Sequence, residues 1–292
     1  MAHKAGFVNI IGNPNAGKST LMNALLGEKL SIITYKAQTT RHRIMGIANS
    51  DDFQIVYSDT PGIVSNPAYK LHQSMMSFVN EALGDADIFL LVVDLADKKP
   101  IEQKAIERIK KSKTPVIVVL NKTDLADTPR QMAAAQHWQK ELPSAEIVPV
   151  SALKRKNIDR VFGLIMNSLP EHPPYFDKSE LSNRTLRFFV SEIVREKIFL
   201  FYEQEIPYSS EVIIEEYQEG EKLDRIRAVI IVERESQKAI IIGNQGSGIK
   251  KLGTEARKDI EEFTGKKVFL ELFVKVDKDW RNNEGKLKHL GY

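Results

Sequence analysis

The chain has no cysteine among its 292 residues. Disulfides and thiolate metal sites are therefore excluded, and a reducing compartment is compatible with the sequence. No apolar stretch approaches the roughly 18 residues needed to span a bilayer. The opening, Met1-Ala2-His3-Lys4-Ala5-Gly6, leads into an apolar run too short for a signal peptide, so a cytoplasmic location is expected. There is no large excess of either charge. Lys and Arg number 42 against 39 Asp and Glu, and a net charge of +3 does not by itself announce a nucleic-acid partner. Internal repeats and low-complexity tracts are also missing. What remains is 42% hydrophobic and 28% charged, as in ordinary soluble proteins, and long enough for two domains.

Residues 1 to about 170 alternate short apolar runs with helical patterns. Strands are predicted at Phe7–Ile11, Phe53–Ser58, Ile88–Asp94, Pro115–Leu120 and Glu146–Val150. Helices are predicted at Ser19–Leu26, Leu71–Leu83, Ile101–Ser112, Pro129–Glu141 and Ile158–Leu169. Continuous β-branched runs such as Val116-Ile117-Val118-Val119 imply burial on both faces and a mostly parallel, doubly wound α/β sheet. Pro170-Glu171-His172-Pro173-Pro174-Tyr175 cannot continue a helix and reads as a semi-rigid linker. Beyond it, a helical Asn183–Glu205 precedes a hairpin of Glu211–Tyr217 and Arg225–Arg234 joined at Gly220. Helices follow at Ser236–Ile242 and Ile249–Phe263. A last strand, Lys267–Val276, places Val268, Leu270, Leu272, Val274 and Val276 on one face. The order is α-β-β-α-α-β. The expected division is 1–172, a linker at 173–183, and a smaller α+β domain at 184–292 with a basic C-terminal tail.

The first apolar strand runs into Gly12-Asn13-Pro14-Asn15-Ala16-Gly17-Lys18-Ser19-Thr20 and then into a helix. This is the strand–loop–helix context of a phosphate-binding P-loop. Glycines let backbone N–H groups turn inward around phosphate oxygens, and the helix adds its positive end. Lys18 can reach the β- and γ-phosphates, and the Ser19 hydroxyl can ligate Mg²⁺.

Partner motifs follow in order. Asp59-Thr60-Pro61-Gly62 closes the second predicted strand. Asp59 can hold Mg²⁺ through a water, and the Gly62 N–H can contact a γ-phosphate. Asn121-Lys122-Thr123-Asp124 follows the fourth predicted strand. An ionised Asp124 only accepts hydrogen bonds, so it matches the two adjacent donors of guanine and rejects adenine. Asn121 can bond the base and brace the loop, and the stem of Lys122 can cover the ring. Ser151-Ala152-Leu153-Lys154, after the fifth strand, can offer the Ala152 N–H to guanine O6. In Tyr35-Lys36-Ala37-Gln38-Thr39-Thr40-Arg41-His42, a threonine is expected to close over Mg²⁺ and γ-phosphate, Thr40 first and Thr39 as the alternative. The catalytic set is thus Lys18, Thr40 and Gly62, and the expected ligands are GTP or GDP with Mg²⁺.

These motifs resemble the translation-factor-like class of small GTPases. Ras-like enzymes place a water-orienting Gln after Asp-x-x-Gly, whereas this chain has Ile63. An apolar side chain cannot orient water, so slow intrinsic hydrolysis is expected. Asn15 matches an asparagine that binds potassium in some relatives with Pro-Asn-x-Gly-Lys-Ser loops, and the resemblance implies potassium stimulation. The Ile63–Tyr69 segment is expected to respond to GTP together with Thr40.

In the second domain, Gly243-Asn244-Gln245-Gly246 between two helices resembles the GxxG loop of a KH domain, which clamps a nucleic-acid backbone. The element order resembles the type II arrangement. From Ser236 onward there are 12 Lys and Arg against 8 Asp and Glu, a balance of +4 that leaves −1 for the rest of the chain. Lys250, Lys251, Arg257 and Lys258 supply positive charge for phosphate contacts. A Gly243→Asp change is expected to abolish RNA binding.

The pairing of these motifs with a type II KH-like domain resembles the Era-type GTPases over essentially the full length. The runs Lys36–Arg43 and Glu255–Lys258 resemble them too. The resemblance implies binding to small-subunit ribosomal RNA near its 3′ end and a role in assembling the small ribosomal subunit. It also implies a cytoplasmic protein partly associated with the inner membrane face, although no amphipathic anchor independently carries the membrane part. A monomer is the simplest expectation. The rival reading is a signalling or membrane-associated GTPase whose second domain docks a protein.

Overall fold

A computed structural model of the chain describes residues 2–64, 67–97 and 99–292. The backbone forms two compact units. One comprises Met1–Ala68 and His72–Asn183, the other Tyr69–Leu71 and Arg184–Tyr292.

In the first unit the order is β1 (Lys4–Gly12), α1 (Lys18–Leu26), β2 (Ile44–Asn49), β3 (Phe53–Asp59), α2 (Lys70–Ala82), β4 (Ile88–Asp94), α3 (Gln103–Lys111), β5 (Val116–Asn121), α4 (Thr128–Glu141), β6 (Glu146–Pro149) and α5 (Ile158–Ser168). The strands form one sheet in the order β2-β3-β1-β4-β5-β6. Pairing is parallel from β3 through β6. The central strands are apolar on both faces because helices cover both. Ile11, Phe89, Leu91, Val118 and Leu120 are buried against Ile106, Ile109 and Trp138. Strand order reverses at β1, whose neighbours are β3 and β4. Such a reversal opens a crevice at the carboxyl ends of the strands, where the loops after β1, β3 and β5 converge.

Two features differ from the sequence reading. β2 was not predicted. It pairs antiparallel with β3, Ile44 opposite Asp59 and Met45 opposite Ser58. A six-residue strand interrupted by Gly46 carries little periodic signal. The stretch read as a linker is fastened to this unit through residue 183. Pro170 O accepts from Ala5 N, and Ile47 N donates to Leu181 O at 2.9 Å. The buried Gln54 side chain accepts from the backbone of Tyr175 at 2.7 Å and Phe176 at 3.0 Å. Prolines stop the helix as expected, but partners more than a hundred residues upstream hold the chain.

The second unit follows the expected order. Its elements are α6 (Leu186–Phe201), the short α7 (Ile206–Ser209), β7 (Glu211–Gln218), β8 (Leu223–Val232), α8 (Glu235–Ile242), α9 (Ser247–Thr264), β9 (Lys267–Val276) and α10 (Glu284–His289). β7 and β8 form the antiparallel hairpin, and β9 lies parallel to β8. The inward faces of the sheet, with Ile226, Ala228, Ile230 and Val268, meet Val190, Val194, Leu252, Ala256 and Ile260 in a buried core.

Candidate functional site

The loop Gly12–Gly17 joins β1 to α1 in a tight turn. Gly17 has φ +92°, and a Cβ there would lie 2.2 Å from Asn121 Nδ2. No side chain caps the start of α1, so its first N–H groups face the loop and can receive an anion. Lys18 is buried, and its ammonium donates to the loop's own carbonyls, Gly12 O at 3.1 Å and Asn13 O at 2.9 Å. Burial lowers its pKa to about 8, opposed by the negative charge of Asp59. A lysine so poorly hydrated is matched to an anionic partner.

The three residues read as Mg²⁺ ligands meet. Ser19 Oγ donates to Asp59 Oδ2 at 2.6 Å and lies 2.9 Å from Thr40 Oγ1, which donates to the same oxygen at 3.3 Å. Thr39 takes another course, with its Oγ1 donating to Lys36 O at 2.8 Å. Thr40 therefore joins the cluster and Thr39 does not. Burial raises the Asp59 pKa, against the Ser19 hydrogen bond and the Lys18 charge. Its other oxygen, Oδ1, is buried and makes no hydrogen bond of ordinary length, although the Ser31 hydroxyl also favours the charged carboxylate. A fully buried carboxylate oxygen without a close donor is costly, and a hydrated cation would satisfy it, so this donor set fits Mg²⁺. Among the described residues no cluster of three His, Cys, Asp or Glu side chains forms; here the donors are one carboxylate and two hydroxyls.

Thr60 Oγ1 donates to Ile10 O at 2.7 Å and secures the turn after β3. A Cβ on Gly62 would lie 2.6 Å from Pro14 Cα, so only glycine lets these two loops touch. Ile63 is buried in the core beside Val79 and Leu91. Ser65 and Asn66, within the segment expected to respond to GTP, lie outside the described residues.

Asn121 ends β5 and ties the site together. Its Nδ2 donates to Ala16 O at 2.8 Å, and its Oδ1 accepts from Ala152 N at 3.0 Å. The Ala152 N–H, read as a donor to guanine O6, is thus directed at Asn121. Asp124 is exposed and accepts from Ser151 Oγ at 2.5 Å. Lys122 pairs with Asp94 Oδ2 at 2.6 Å, and both residues line the same cavity. Asn15 donates from Nδ2 to Tyr35 O at 3.0 Å, linking the P-loop to the Thr40 loop. Asn13 turns aside to Lys99 O and Pro100 O.

These side chains surround a cavity of about 570 Å³, a volume suited to a nucleotide-sized ligand. Pro14, Asn15, Gly17 to Thr20, Thr40, Thr60, Gly62, Asn121, Lys122, Asp124 and Leu153 line it. Of the other residues predicted at the site, Gly12, Asn13, Ala16, Asp59, Pro61, Ser151 and Ala152 do not line it; Ala16, Asp59, Ser151 and Ala152 hydrogen-bond residues that do. The sequence reading missed Tyr35, Gln38, Asp94 and Leu125, which also line the cavity. Asp94 had a usable signal, a carboxylate ending a parallel strand. The exposed Leu125 and Tyr35 had none.

In the second unit, Gly243 has φ +72° and Gly246 φ +80°, values that glycine adopts without strain. Asn244 and Gln245 between them are exposed, as are Lys250, Lys251, Arg257 and Lys258 on α9. The helical spacing places the four cations within one side of α9. Lys251 Nζ stands 4.9 Å from the Phe201 ring centre, and Lys258 pairs with Glu255. A Cβ on Gly243 would lie 2.8 Å from Gly248 N. Gly243→Asp would therefore disturb the loop itself, and charge is better tested at Lys250 and Lys251.

Known proteins resemble this chain in both units. Residues 7–122 match a family model described as 50S ribosome-binding GTPase, and residues 205–281 match a KH domain. GTPase Era of Syntrophus aciditrophicus is 44% identical over 99% of this chain and 95% of its own length. GTPase Era of Staphylococcus haemolyticus is 42% identical over 99% of this chain and 97% of its own. The chain belongs to the Era family of GTPases. A crystal structure of Era in complex with MgGDPNP and nucleotides 1506–1542 of 16S ribosomal RNA has a TM-score of 0.94, with 39% identity over 99% of both chains. A variant of Aquifex aeolicus Era bound to GDP and AlF₄⁻ has a TM-score of 0.92 at 38% identity over 99% of both chains. The fold of this Era-family GTPase is accordingly a P-loop GTPase domain followed by a KH domain. Among its described residues no helix is long and apolar enough to cross a membrane.

Proposed function

We propose that this GTPase is a switch that binds small-subunit ribosomal RNA near its 3′ end in its GTP state and acts in assembly of the small ribosomal subunit. The observation that carries the nucleotide part is the convergence of Lys18, Ser19, Thr40 and Asp59 beside a cavity that also holds Asp124. Lys18 and the P-loop amides hold the phosphates. Ser19 and Thr40 hold Mg²⁺, Asp59 through a water; when bound, that ion neutralises charge developing on the β- and γ-phosphate oxygens. Asp124 selects guanine, and Asn121 braces the loops around it. The Gly62 N–H meets the γ-phosphate. Ile63 is apolar and buried and cannot orient water as the Gln of Ras-like enzymes does, so turnover is slow. Asn15 would hold a potassium ion, which would supply positive charge beside the phosphates; equal turnover in potassium and sodium would remove that element.

The RNA part rests on the exposed GxxG loop, the cations of α9 and the relative crystallised with 16S ribosomal RNA. The 50S description attaches to a model that matches residues 7–122 alone, whereas the Era likeness spans both units. The protein works in the cytoplasm as a monomer, with peripheral contact at the inner membrane.

The test is binding of a labelled single-stranded fragment from the 3′ end of small-subunit ribosomal RNA, with a non-hydrolysable GTP analogue and with GDP, across a salt series. Tighter binding with the analogue and a steep salt dependence are expected. Equal affinity in both nucleotide states would sink the coupling. No binding in either state would move the reading to a second unit that docks a protein.

A further inference from the structure

Three residues beyond Thr40, Arg43 is buried in the first unit with its guanidinium shared among three elements. Its Nε donates to Ser58 Oγ at 2.7 Å. The two terminal nitrogens form a fork on Asp85, NH1 to Oδ2 at 2.7 Å and NH2 to Oδ1 at 2.9 Å. NH2 also reaches the Asn9 side chain in β1 at 3.4 Å. Asn9 is itself fully buried, and its Nδ2 donates to Ala82 O and to Asp85 Oδ1. One side chain thus fixes the start of β2 to the end of β3, to β1 and to the turn after α2.

The register makes this more than a structural tie. Ile44, next to Arg43, is paired with Asp59, and Ser58 precedes Asp59. Arg43 therefore clamps the two strands where Asp59 emerges into the Ser19–Thr40 cluster. Arg41 and His42, between Thr40 and Arg43, are buried as well. With all four residues from Thr40 to Arg43 packed in the interior, a movement at Arg43 is passed along the segment to Thr40. We infer that Arg43, oriented by Asp85, is a positioning residue that holds the Thr40 hydroxyl where Mg²⁺ and the γ-phosphate are recognised. A lysine could not replace it, because an ammonium lacks the planar fork that binds both carboxylate oxygens and Ser58 together. The inference rests on the reading of Thr40 given above.

The test measures equilibrium affinities for GDP and for GDPNP, in Mg²⁺, on the full-length protein. It compares the wild type with Thr40→Ala, Arg43→Lys, Asp85→Asn and the double variant Thr40→Ala/Arg43→Lys, with melting temperatures alongside. Thr40→Ala and Arg43→Lys are each expected to lower the preference for GDPNP over GDP by about tenfold or more, since misplacing a group by about 1 Å is that costly. Asp85→Asn should move it in the same direction. The double variant should be no worse than Thr40→Ala alone, because a residue that acts through another is not additive with it. A melting temperature that falls in Arg43→Lys and Asp85→Asn while the preference stays unchanged would overturn the inference, as would additivity in the double variant. An unchanged preference in Thr40→Ala would instead overturn the reading of Thr40, and this inference with it. Asp85 is half-exposed, so Asp85→Asn decides the matter if Arg43→Lys does not fold.

Discussion

Asn121 Nδ2 donates to Ala16 O at 2.8 Å, so the end of β5 also holds the loop between β1 and α1. The same side chain accepts from Ala152 N. Asn121→Ala removes both ties and leaves a buried carbonyl and a buried N–H without partners, each worth about 1–3 kcal/mol. Affinity for GTP and GDP should fall together, with a lower melting temperature. Equilibrium binding of a fluorescent GDP and thermal unfolding check this, and loss of GTP binding alone would contradict it.

Asp124→Asn exchanges an acceptor for a group that also donates. Guanine then meets one donor facing another, and xanthine, with a carbonyl in place of the 2-amino group, becomes the better match. GTP affinity should drop by at least about 10²-fold while XTP affinity rises. Competition binding with the two nucleotides reads the exchange directly.

Gly62→Ala places a methyl group within 2.6 Å of Pro14 Cα. One of the two loops must yield. On the proposed reading Gly62 meets the γ-phosphate and not the base, so GDP affinity should stay within a few-fold. Single-turnover GTP hydrolysis should fall by about 10²-fold.

Asp224 gives a pH signature away from the nucleotide. Burial would raise its pKa, but the Gly220 N–H, the Tyr217 hydroxyl and Lys266 outweigh that and hold it below the ordinary carboxylate value. A depressed folded-state pKa stabilises the protein above the unfolded value, about 4 for aspartate. That contribution is lost as pH falls through the folded pKa. Asp224→Asn should lower the melting temperature at neutral pH, and the gap to the wild type should close as pH drops below about 4. A gap that persists at low pH would show that the carboxylate charge is not what stabilises the hairpin.

The phosphate loop, the Asp59 turn, Asn121, Asp124 and the GxxG loop could be read from sequence because their chemistry demands particular residue types at short spacing. The α/β alternation was equally plain, since strands such as Val116–Leu120 are apolar on both faces. Relationships across long sequence separations were not legible. Nothing near Asn121 announces Ala16, and nothing near Arg43 announces Asp85. The choice of Thr40 over Thr39 also required geometry, because the two hydroxyls differ only in which way the backbone turns them. The 173–183 stretch misled for a related reason: proline content reports that a helix stops, not what the chain then rests on.

That stretch also guards a vulnerable edge. β2 is the outermost strand of its sheet, and Leu181 and Ser182 pair with Ile47 and Gly46 along its open side. An uncovered outer strand offers unsatisfied N–H and C=O groups to any neighbouring chain. A fragment ended at residue 172 would bare that row and self-associate through it, while one ended at 183 would stay dispersed. The few residues that lead from one unit to the next thus act as a built-in cap against aggregation.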